Sequence, residues 1–422
     1  MKVFKFGGAS VKSAEAVKNL ASIMHNYHER IVIVISAMGK TTNAMEEVAR
    51  TFFDGKNFKP LVDNIKKFHF NIIKELFPDQ SDPVYQDVSL LFSELDTILS
   101  KQPSLNFDFD YDQVVSFGEL FSTKIVSAYL NAIDIPVKFI DVRRVLKTDN
   151  TYREAKVDWE LTTGLMKKTF DFKKELFYLT QGFIGSTINN LTTTLGREGS
   201  DYTGAIISHV MEAESLTIWK DVPGVLNADP KYFDDTVMID QLSYLDAIEL
   251  AYFGASVIHP KTIKPLQNKN IKLYVRSFLK PGDPGTVIGD YAYESLMPTF
   301  IFKVDQVLLQ ISPLDFSFIA EDNLRTIFDC FSRHNVKINL MQNSAVSFRV
   351  CTNNDQSKLP GLLKDLREDF RVTIESGLEL ITIRYYDDAT IDRVLVDKKL
   401  LLEHKTGRTM QMVVNPLPTT TG

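Results

Sequence analysis

The first thirty-five residues carry a strand–helix–strand pattern. Residues 2–6 are mostly apolar and end at Gly7 and Gly8, as a buried strand leading into a tight turn does. Apolar residues at helical spacing predict a helix from about residue 13, and the β-branched run Ile31–Ile35 predicts a strand buried on both faces. The three elements form a βαβ unit, which predicts an α/β fold whose parallel-rich sheet is sandwiched by helices.

Helical periodicity dominates the next part of the chain. Three apolar stripes, at 58–76, 88–99 and 113–130, predict a helical insertion of about 52–131 within the first domain. Strand-like runs return at 137–142, 177–179 and 215–219. The segment 280–285 contains two prolines and two glycines, so we place a domain boundary there and predict a first domain of residues 1–290.

The C-terminal part has a different pattern. Strands and helices alternate there in the order strand–helix–strand–strand–helix–strand, with helices at about 322–334 and 357–369. This order is typical of a ferredoxin-like α+β domain, and a shorter second round continues to residue 414. We therefore predict a pair of such domains over 300–414 and a frayed tail over 415–422.

Composition narrows the possible classes of protein. The 422 residues are 44% hydrophobic and 24% charged, as in typical globular proteins, and their net charge of −6 argues against a nucleic-acid-binding face. The longest apolar run, Ile31–Ile35, is far shorter than the roughly 20 residues that span a membrane. The opening residues show no signal-peptide pattern, and two cysteines, Cys330 and Cys351, are too few for a disulfide framework. We therefore expect a cytoplasmic protein with no nucleic-acid or membrane partner.

One segment near the start is suited to phosphate binding. Lys5-Phe-Gly-Gly-Ala-Ser10 places a lysine, two glycines and a hydroxyl between a strand and a helix, where backbone N–H groups can approach a phosphate. Taken alone, such a turn is more often a plain chain reversal. The later run Gly39-Lys-Thr-Thr42 resembles the end of a Walker motif, but the glycine which that motif requires is Val34, so we exclude a P-loop.

A second polar segment, 196–201, lies between strand-like residues and a predicted helix. Arg197 could hold a carboxylate in a bidentate fork, Ser200 could present a backbone donor, and Asp201 could cap the helix or orient a lysine. An N-capped helix with a solvated arginine explains the same residues. A third segment, 220–230, is a loop rich in turn residues after a strand, where open α/β sheets bind ligands.

Five segments together resemble one family. They are KFGGAS, SFGELFSTKI, TLGREGSDYT, WKDVPGVLNADP and FGASVIHPKT, in the order and rough spacing of the aspartate kinases of the amino acid kinase family. The similarity covers about residues 1–290, and the C-terminal part resembles the paired ACT regulatory domains of those enzymes. The resemblance implies transfer of the γ-phosphoryl group of ATP, with Mg²⁺, to the β-carboxylate of L-aspartate. The product would be 4-phospho-L-aspartate, in the first step of lysine, threonine and methionine biosynthesis.

The resemblance also implies roles for individual residues. The phosphate cradle and the rest of the ATP site would comprise Lys5, Gly7, Gly8, Ser10, Lys220, Asp221, Lys231 and Ser256. The aspartate site would comprise Thr42, Glu119, Arg197 and Ser200. Asp201 would orient the catalytic Lys5, and no residue is assigned as a metal ligand. Because a carboxylate is ionised at neutral pH, the reaction requires no general base.

Several positions depart from the family pattern. The usual KFGGTS threonine is Ala9, a glycine of GRGGSD is Glu198, and the threonine of T-D-V-P-G is Lys220. The lysine of FGAKVLHP, which contacts nucleotide phosphates in the family, is Ser256, and either Lys220 or Lys261 could restore its charge. Two other interpretations therefore stay open. One is an enzyme of the same fold with another amino-acid acceptor, and the other is a degenerate kinase that serves as an ACT-type amino-acid sensor.

One C-terminal stretch, 334–347, resembles the ACT segment that contacts inhibitory amino acids in aspartate kinases. Its candidate effector-binding residues are Ile338, Asn339, Asn343 and Ser344. Lysine-inhibited relatives have an aspartate at the position of Asn339, and a neutral amide binds an ammonium group more weakly than a carboxylate does. We therefore predict weak effector binding, with lysine as the first candidate, and self-association into a homodimer or a larger assembly through the ACT domains.

Overall fold

The computed structural model describes residues 1–255, 258–291, 297–315 and 317–417. The chain divides into two compact units. The first comprises Met1–Val225, Met238–Ile248 and Ser256–Ala292, and the second comprises Leu226–Val237, Glu249–Ala255 and Tyr293–Gly422. Two short segments of the second unit thus come from within residues 1–290, and the domain limits predicted from the sequence stay a prediction.

The first unit is built on an eight-stranded sheet. In chain order its strands and those of a separate hairpin are β1 (Lys2–Phe6), β2 (Ile31–Ile35), β3 (Val137–Ile140), β4 (Phe177–Gln181), β5 (Ile184–Ser186), β6 (Thr192–Thr194), β7 (Ser215–Lys220), β8 (Gln241–Ser243), β9 (Lys272–Ser277) and β10 (Thr286–Gly289). The order across the sheet is β3-β4-β2-β1-β7-β9-β10-β8, and β5 pairs with β6. Neighbouring strands of the large sheet are parallel except for the antiparallel pair β9 and β10.

Helices surround this sheet and fill the predicted insertion. They are α1 (Ala14–His25), α2 (Thr41–Phe53), α3 (Lys59–Leu76), α4 (Pro83–Leu99), α5 (Phe107–Val115), α6 (Phe117–Ala132), α7 (Trp159–Thr169), α8 (Gly199–Val210), α9 (Tyr244–Phe253) and α10 (Pro260–Gln267). The first two apolar stripes are confirmed as α3 and α4, and the third is divided at Ser116 into α5 and α6. Asp82 caps α4 by accepting the N–H of Val84 at 3.0 Å, and Pro83 follows at the first helical position.

The central strands determine where the loops of the site lie. Every residue of Ile31–Ile35 is buried, as its β-branched sequence predicts for a strand covered on both faces. Phe6 at the end of β1 pairs with Ile35 of β2 and with Trp219 of β7. Because these three strands are parallel, their carboxyl ends reach the same edge of the sheet, where open α/β sheets bind ligands.

The second unit has a six-stranded antiparallel sheet. Its strands are β11 (Thr299–Pro313), β12 (Ile338–Asn343), β13 (Phe348–Asn353), β14 (Phe370–Arg384), β15 (Lys398–Lys405) and β16 (Thr409–Pro416), and its helices are α11 (Glu321–Arg333), α12 (Leu359–Asp369) and α13 (Asp388–Leu395). The order across the sheet is β12-β13-β11-β14-β16-β15. The predicted strand–helix–strand–strand–helix–strand order is therefore confirmed.

The second unit differs from the sequence prediction in two places. The edge strand β15 has no counterpart in the prediction, because lysines and Glu403 interrupt its short apolar run. Asn415 and Pro416, which the sequence analysis placed in a frayed tail, belong to β16, and residues 418–422 lie outside the described part of the chain. Within the described ranges, no helix is long and apolar enough to cross a lipid bilayer.

Candidate active site

Lys5 lies near the carboxyl end of β1, between Val34 of β2 and Ile218 of β7. Helix α8 packs closely against this part of the sheet because Gly204 has no side chain: a Cβ there would lie 3.0 Å from Cδ1 of Leu216 and 3.7 Å from the Cβ of Lys5. The lysine is buried, and its Nζ lies 2.6 Å from Oδ1 of Asp201 in the first turn of α8. The fold thus brings together the lysine and the aspartate that the sequence analysis paired.

Asp201 lies between two lysines. Its side chain is only 3% exposed, and Oδ2 lies 3.8 Å from Nζ of Lys220, at the end of β7. Burial raises the pKa of the Asp201 carboxyl, but the charges of Lys5 and Lys220 outweigh burial and hold that pKa below its ordinary value. Asp201 is therefore a stable anion whose two oxygens each face an ammonium group.

The Gly7-Gly8 turn passes very close to the loop after β2. A Cβ at Gly8 would lie 2.7 Å from the carbonyl oxygen of Gly39 and 2.8 Å from that of Ala37, so no larger residue fits there. A Cβ at Gly7 would lie 3.5 Å from Nζ of Lys5, which places the backbone of the turn beside the ammonium group. A glycine at each position keeps the backbone N–H groups open to an anion near Lys5.

Ser10, a predicted phosphate contact, forms a hydrogen bond to the end of β7. Its side chain is buried, and its hydroxyl donates to the carbonyl oxygen of Trp219 at 3.3 Å. This bond connects the short 3-10 helix Gly8–Val11 to the end of β7. In this conformation Ser10 holds the turn against the sheet, and only its oxygen lone pairs remain for other contacts.

Glu119 is a buried carboxylate in the first turn of α6. Its Oε1 accepts the N–H of Ala37 at 3.3 Å, while its buried Oε2 has no hydrogen-bond partner among the described residues. Burial raises the pKa of Glu119 to about 8, against the smaller lowering effects of the Ala37 N–H and the charge of Lys5. A buried oxygen without a donor, close to Lys5, is a suitable position for a ligand that brings its own donor.

Thr42 lies in the first turn of α2 and is half-buried. Its neighbour Thr41 is fully buried and donates to the carbonyl oxygen of Met38 at 2.6 Å. Gly118 allows α6 to approach this turn, since a Cβ at Gly118 would lie 3.4 Å from Cγ2 of Thr41. Thr42 and Glu119 therefore lie on two helices that pack against each other next to the loop after β2.

Arg197 and Glu198 precede α8. Arg197 is exposed. Burial is the main cause that lowers the pKa of His259, and the charges of Glu198, Lys261 and Arg197 have smaller effects on that pKa. Glu198 has a left-handed backbone with φ of 53°, a conformation that favours glycine. The glycine usual in GRGGSD is thus explained by the backbone, and Glu198 occupies the position under strain.

Ser200 is buried in the first turn of α8, against the end of β4. A Cβ at Gly182 would lie 2.5 Å from the Cβ of Ser200, so glycine is required at position 182 for the helix to start there. The sequence analysis missed this packing requirement at Gly182, although the glycine follows shortly after a predicted strand. The N-terminus of α8, with its positive end of the helix dipole, faces the edge that carries Lys5.

The remaining residues predicted to contact the nucleotide lie in separate parts of the chain. Asp221 follows Lys220 and is exposed. Lys231 belongs to the second unit and is also exposed, and its N–H donates to Oδ1 of Asp229 at 2.9 Å. Ser256 lies outside the described residues. Lys261, the other candidate for the missing charge, donates instead to the carbonyl oxygen of Leu195 at 3.1 Å.

The candidate effector residues lie on or next to β12 in the second unit. Asn339 accepts from Nζ of Lys303 at 3.0 Å and donates to Oε1 of Gln306 and Oδ1 of Asn353, both at 2.8 Å. Burial, followed by the nearby charge of Lys337, lowers the pKa of Lys303 to about 8. Ile338 is half-buried, Asn343 is exposed, and the hydroxyl of Ser344 donates to the carbonyl oxygen of Ser347 at 3.0 Å. The sequence analysis missed the partners of Asn339 because they come from other strands: Asn353 lies on the adjacent β13, and Lys303 and Gln306 lie on β11 beyond it.

Comparisons with known proteins identify the family. The model of the amino acid kinase family matches residues 1–277. Lysine-sensitive aspartokinase 3 of Escherichia coli (strain K12) is 31% identical over 399 residues, which are 90% of this chain and 86% of that protein. The chain therefore belongs to the aspartokinases of the amino acid kinase family.

Solved aspartokinase structures show the same fold. The crystal structure of E. coli aspartokinase III in complex with aspartate and ADP, described as the R-state, has a TM-score of 0.82 and 27% identity, and it covers 99% of this chain and 96% of that one. The T-state complex of the same enzyme with lysine and aspartate has a TM-score of 0.83 at the same identity and coverage. The aspartokinase resemblance and the predicted fold class are thus confirmed.

Proposed function

We propose that the chain transfers the γ-phosphoryl group of ATP to the β-carboxylate of L-aspartate and so produces 4-phospho-L-aspartate. The observation that carries this proposal is the cluster at the carboxyl edge of β1 and β7, where Lys5 and Lys220 flank Asp201 and the buried Glu119 lies nearby. Relatives named as aspartokinases support the substrate, and the complex of one of them with aspartate and ADP supports ATP as the phosphoryl donor.

The phosphate groups would bind over the Gly7-Gly8 turn. Lys5 supplies a positive charge there, the glycines leave the backbone open, and the first turn of α8 adds the positive end of a helix dipole. Asp201 keeps the ammonium group of Lys5 in place, since the pair is buried and 2.6 Å apart. These groups favour an anion at the edge of the sheet, and they do so before any ligand arrives.

Aspartate would bind through Glu119 and Arg197. Oε2 of Glu119 is buried without a donor, so the ammonium group of an amino acid can supply the missing hydrogen bond and the opposite charge. Arg197 is exposed and can hold a carboxylate bidentately, while Thr42 and Ser200 lie at the neighbouring helix starts. One carboxylate and one guanidinium match the two opposite charges of an amino acid.

The chemical step balances without a proton transfer. An oxygen of the ionised β-carboxylate attacks the γ-phosphorus, and the bond from that phosphorus to the β–γ bridging oxygen breaks. ADP leaves with the electron pair, and the new carboxyl oxygen–phosphorus bond gives an acyl phosphate. Lys5 lowers the repulsion between the two anions and stabilises the charge on the transferring group.

Magnesium would enter with the nucleotide. The described residues include no group of three or more acidic, histidine or cysteine side chains that could hold a metal ion. Mg²⁺ commonly binds through substrate phosphates and water with only one or two carboxylates, so the exposed Asp221 near the phosphate edge suffices as a protein contact. When bound, the ion would supply further positive charge to the phosphates.

The test is an acceptor comparison with the purified chain. ADP release and trapping of the acyl phosphate with hydroxylamine are measured with aspartate, glutamate, N-acetylglutamate or no acceptor, each with Mg-ATP. We expect ADP and acyl phosphate to form with aspartate and with none of the other acceptors. Turnover with another acceptor would favour the second interpretation of the sequence, and no turnover with any acceptor would favour an amino-acid sensor.

The second unit is the part of the chain to which we assign regulation by an amino acid and self-association. E. coli aspartokinase 3 is named as lysine-sensitive, and a structure of the E. coli enzyme contains lysine. We infer that the second unit binds lysine weakly at β12, where Asn339 supplies an amide, and that copies of the chain self-associate through this unit. Light scattering with and without lysine tests the assembly, and a monomer under both conditions would contradict it.

A further inference from the structure

Lys220 and Lys5 lie on the same face of the sheet. Lys5 pairs with Ile218 across the β1–β7 ladder, and Lys220 follows Ile218 by two residues, so both lysines point to the side that α8 covers. Asp201 on α8 receives both of them: Oδ1 lies 2.6 Å from Lys5 and Oδ2 lies 3.8 Å from Lys220. The two ammonium groups therefore border the same small space at the edge of the sheet.

We propose that Lys220 is a second phosphate-binding lysine, which acts with Lys5 on the transferring phosphoryl group while Asp201 holds both ammonium groups in position. The role rests on the proposed phosphoryl transfer, and it takes Lys220 from a general nucleotide contact to a group that acts in the chemical step. A terminal phosphate carries up to two negative charges, and one lysine already committed to Asp201 neutralises only part of them. A second cation on the opposite oxygen of Asp201 supplies charge where it develops in the transition state.

The geometry favours Lys220 over the other nearby lysine. The ammonium group of Lys261 donates to the carbonyl oxygen of Leu195 at 3.1 Å and lies 5.9 Å from the ring centre of Tyr202. It is thus held at the loop before α8, whereas Lys220 is held at Asp201. The side chain of Lys220 is 22% exposed, which leaves it accessible from the edge where the nucleotide would bind.

A purely structural role for Lys220 makes different predictions. If Lys220 only compensates the buried charge of Asp201, its loss lowers stability, and the affinity for ATP changes no more than the affinity for ADP. If it contacts the transferring phosphoryl group, its loss lowers kcat and the affinity for a non-hydrolysable ATP analogue while ADP binding is retained. The charge should also matter more than the shape of the side chain, so arginine should preserve more activity than an apolar residue.

The experiment compares Lys220→Met and Lys220→Arg with the wild type and with Lys272→Met, an exposed lysine at the start of the adjacent β9. Kinetics, thermal unfolding, and calorimetric binding of ADP and of an imido analogue of ATP are measured. We expect Lys220→Met to lower kcat by about 100-fold. It should weaken the analogue by about tenfold with ADP binding unchanged, and Lys220→Arg should recover part of both losses.

Two outcomes would overturn the inference. One is a kcat of Lys220→Met within about threefold of the wild type. The other is an equal loss in both Lys220 variants together with a lower unfolding temperature. Binding of the ATP analogue needs no acceptor, so it tests Lys220 even if the wild type fails to phosphorylate aspartate. Failure of the wild type with aspartate would count against the proposed function, whereas normal binding and turnover in Lys220→Met would count only against the role of Lys220.

Discussion

Oδ1 of Asp201 and Nζ of Lys5 form a buried ion pair across 2.6 Å, between a helix start and the strand at the centre of the sheet. Asp201 has a second lysine, Lys220, on its other oxygen. The carboxylate is therefore not left alone when Lys5 is removed. This arrangement separates the contribution of Lys5 to catalysis from its contribution to folding.

We expect Lys5→Met to reduce kcat by at least about 100-fold, because the charge acts on the transferring phosphoryl group. The loss of stability should stay below the roughly 3 kcal/mol that breaking a buried ion pair costs, since Lys220 still faces Asp201. Steady-state kinetics and urea unfolding measure the two effects, with the exposed Lys18→Met as control. Near-normal turnover in a folded Lys5→Met protein would disprove the phosphate-cradle assignment.

Glu119→Gln should raise the KM for aspartate by about 10- to 100-fold, the worth of a hydrogen bond to a charged group. The KM for ATP should change little, because Oε2 of Glu119 faces the acceptor in the proposed arrangement. Initial rates at varied concentrations of each substrate separate the two constants. A parallel rise in both, or a rise for ATP alone, would show that Glu119 does not hold the aspartate ammonium group.

The pH dependence of aspartate use should report the ionisation of Glu119. Burial raises the pKa of Glu119 to about 8, so in the free protein the carboxyl is mostly protonated below that pH. We expect kcat/KM for aspartate to rise as the pH increases towards 8, and this rise to disappear in Glu119→Gln. A profile that is the same in both proteins would assign the titration to another group.

The raised pKa of Glu119 also predicts the direction in which the free energy of unfolding changes with pH. An unfolded glutamate loses its proton near pH 4.5, whereas folded Glu119 keeps its proton up to about pH 8, so the folded state binds more protons between these values. The contribution of Glu119 is therefore largest at low pH and falls as the pH rises from 4.5 to 8. Between pH 5 and pH 8, Glu119→Gln should lose less stability than the wild type in urea unfolding.

Glu198→Gly should stabilise the protein. Glu198 has a φ of 53°, and its buried Oε2 has no hydrogen-bond partner among the described residues. The substitution removes the strain of the left-handed backbone and the buried oxygen without a donor. We expect it to raise the free energy of unfolding by about 0.5–1 kcal/mol, after the extra chain entropy of glycine is subtracted. Urea unfolding measures the gain, and Glu212→Gly is a matched control at another left-handed residue, which is exposed. A destabilised Glu198→Gly would mean that the glutamate side chain makes a compensating contact.

Lys303 should control the response to free lysine. Its ammonium group occupies the only carbonyl oxygen of the Asn339 side chain, and Gln306 and Asn353 accept both amide hydrogens. An external ammonium group must therefore displace Lys303 or share this oxygen with another positive charge. We expect Lys303→Met to bind lysine about tenfold more tightly than the wild type, as measured by calorimetry and by inhibition of ADP production. Lys364→Met, on the exposed face of α12, is the control, and an unchanged lysine affinity would place the effector elsewhere.

Local sequence patterns predicted the strands and helices that bury a continuous apolar face. The β-branched run of β2 and the apolar stripe of α3 are strong signals, since burial on two faces or on one helical face requires those residues. The order of strands and helices in the second unit followed in the same way. Edge strand β15 lacked such a signal, because a strand that is mostly exposed needs no continuous apolar face.

Contacts across the sequence could not be predicted in this way. Lys220 and Asp201 are near in sequence, but their contact depends on the register of β7 beside β1 and on where α8 starts. Lys303 and Asn339 come from strands that β13 separates in the sheet, so no spacing rule connects them. The left-handed backbone at Glu198 could not be predicted from the residue type, because glutamate rarely adopts this conformation.

Strands β11 and β14 are each 15 residues long, and they pair from Thr299 with Arg384 to Pro313 with Phe370. Along its length β11 contributes to three apolar clusters, through Ile311 in one, Leu308 in another and Phe300 in the third. Loss of either half of the sheet would therefore expose apolar side chains that the other half needs for its own packing. Heating should melt both halves in a single cooperative transition, so the ACT-like halves are not independent folding units.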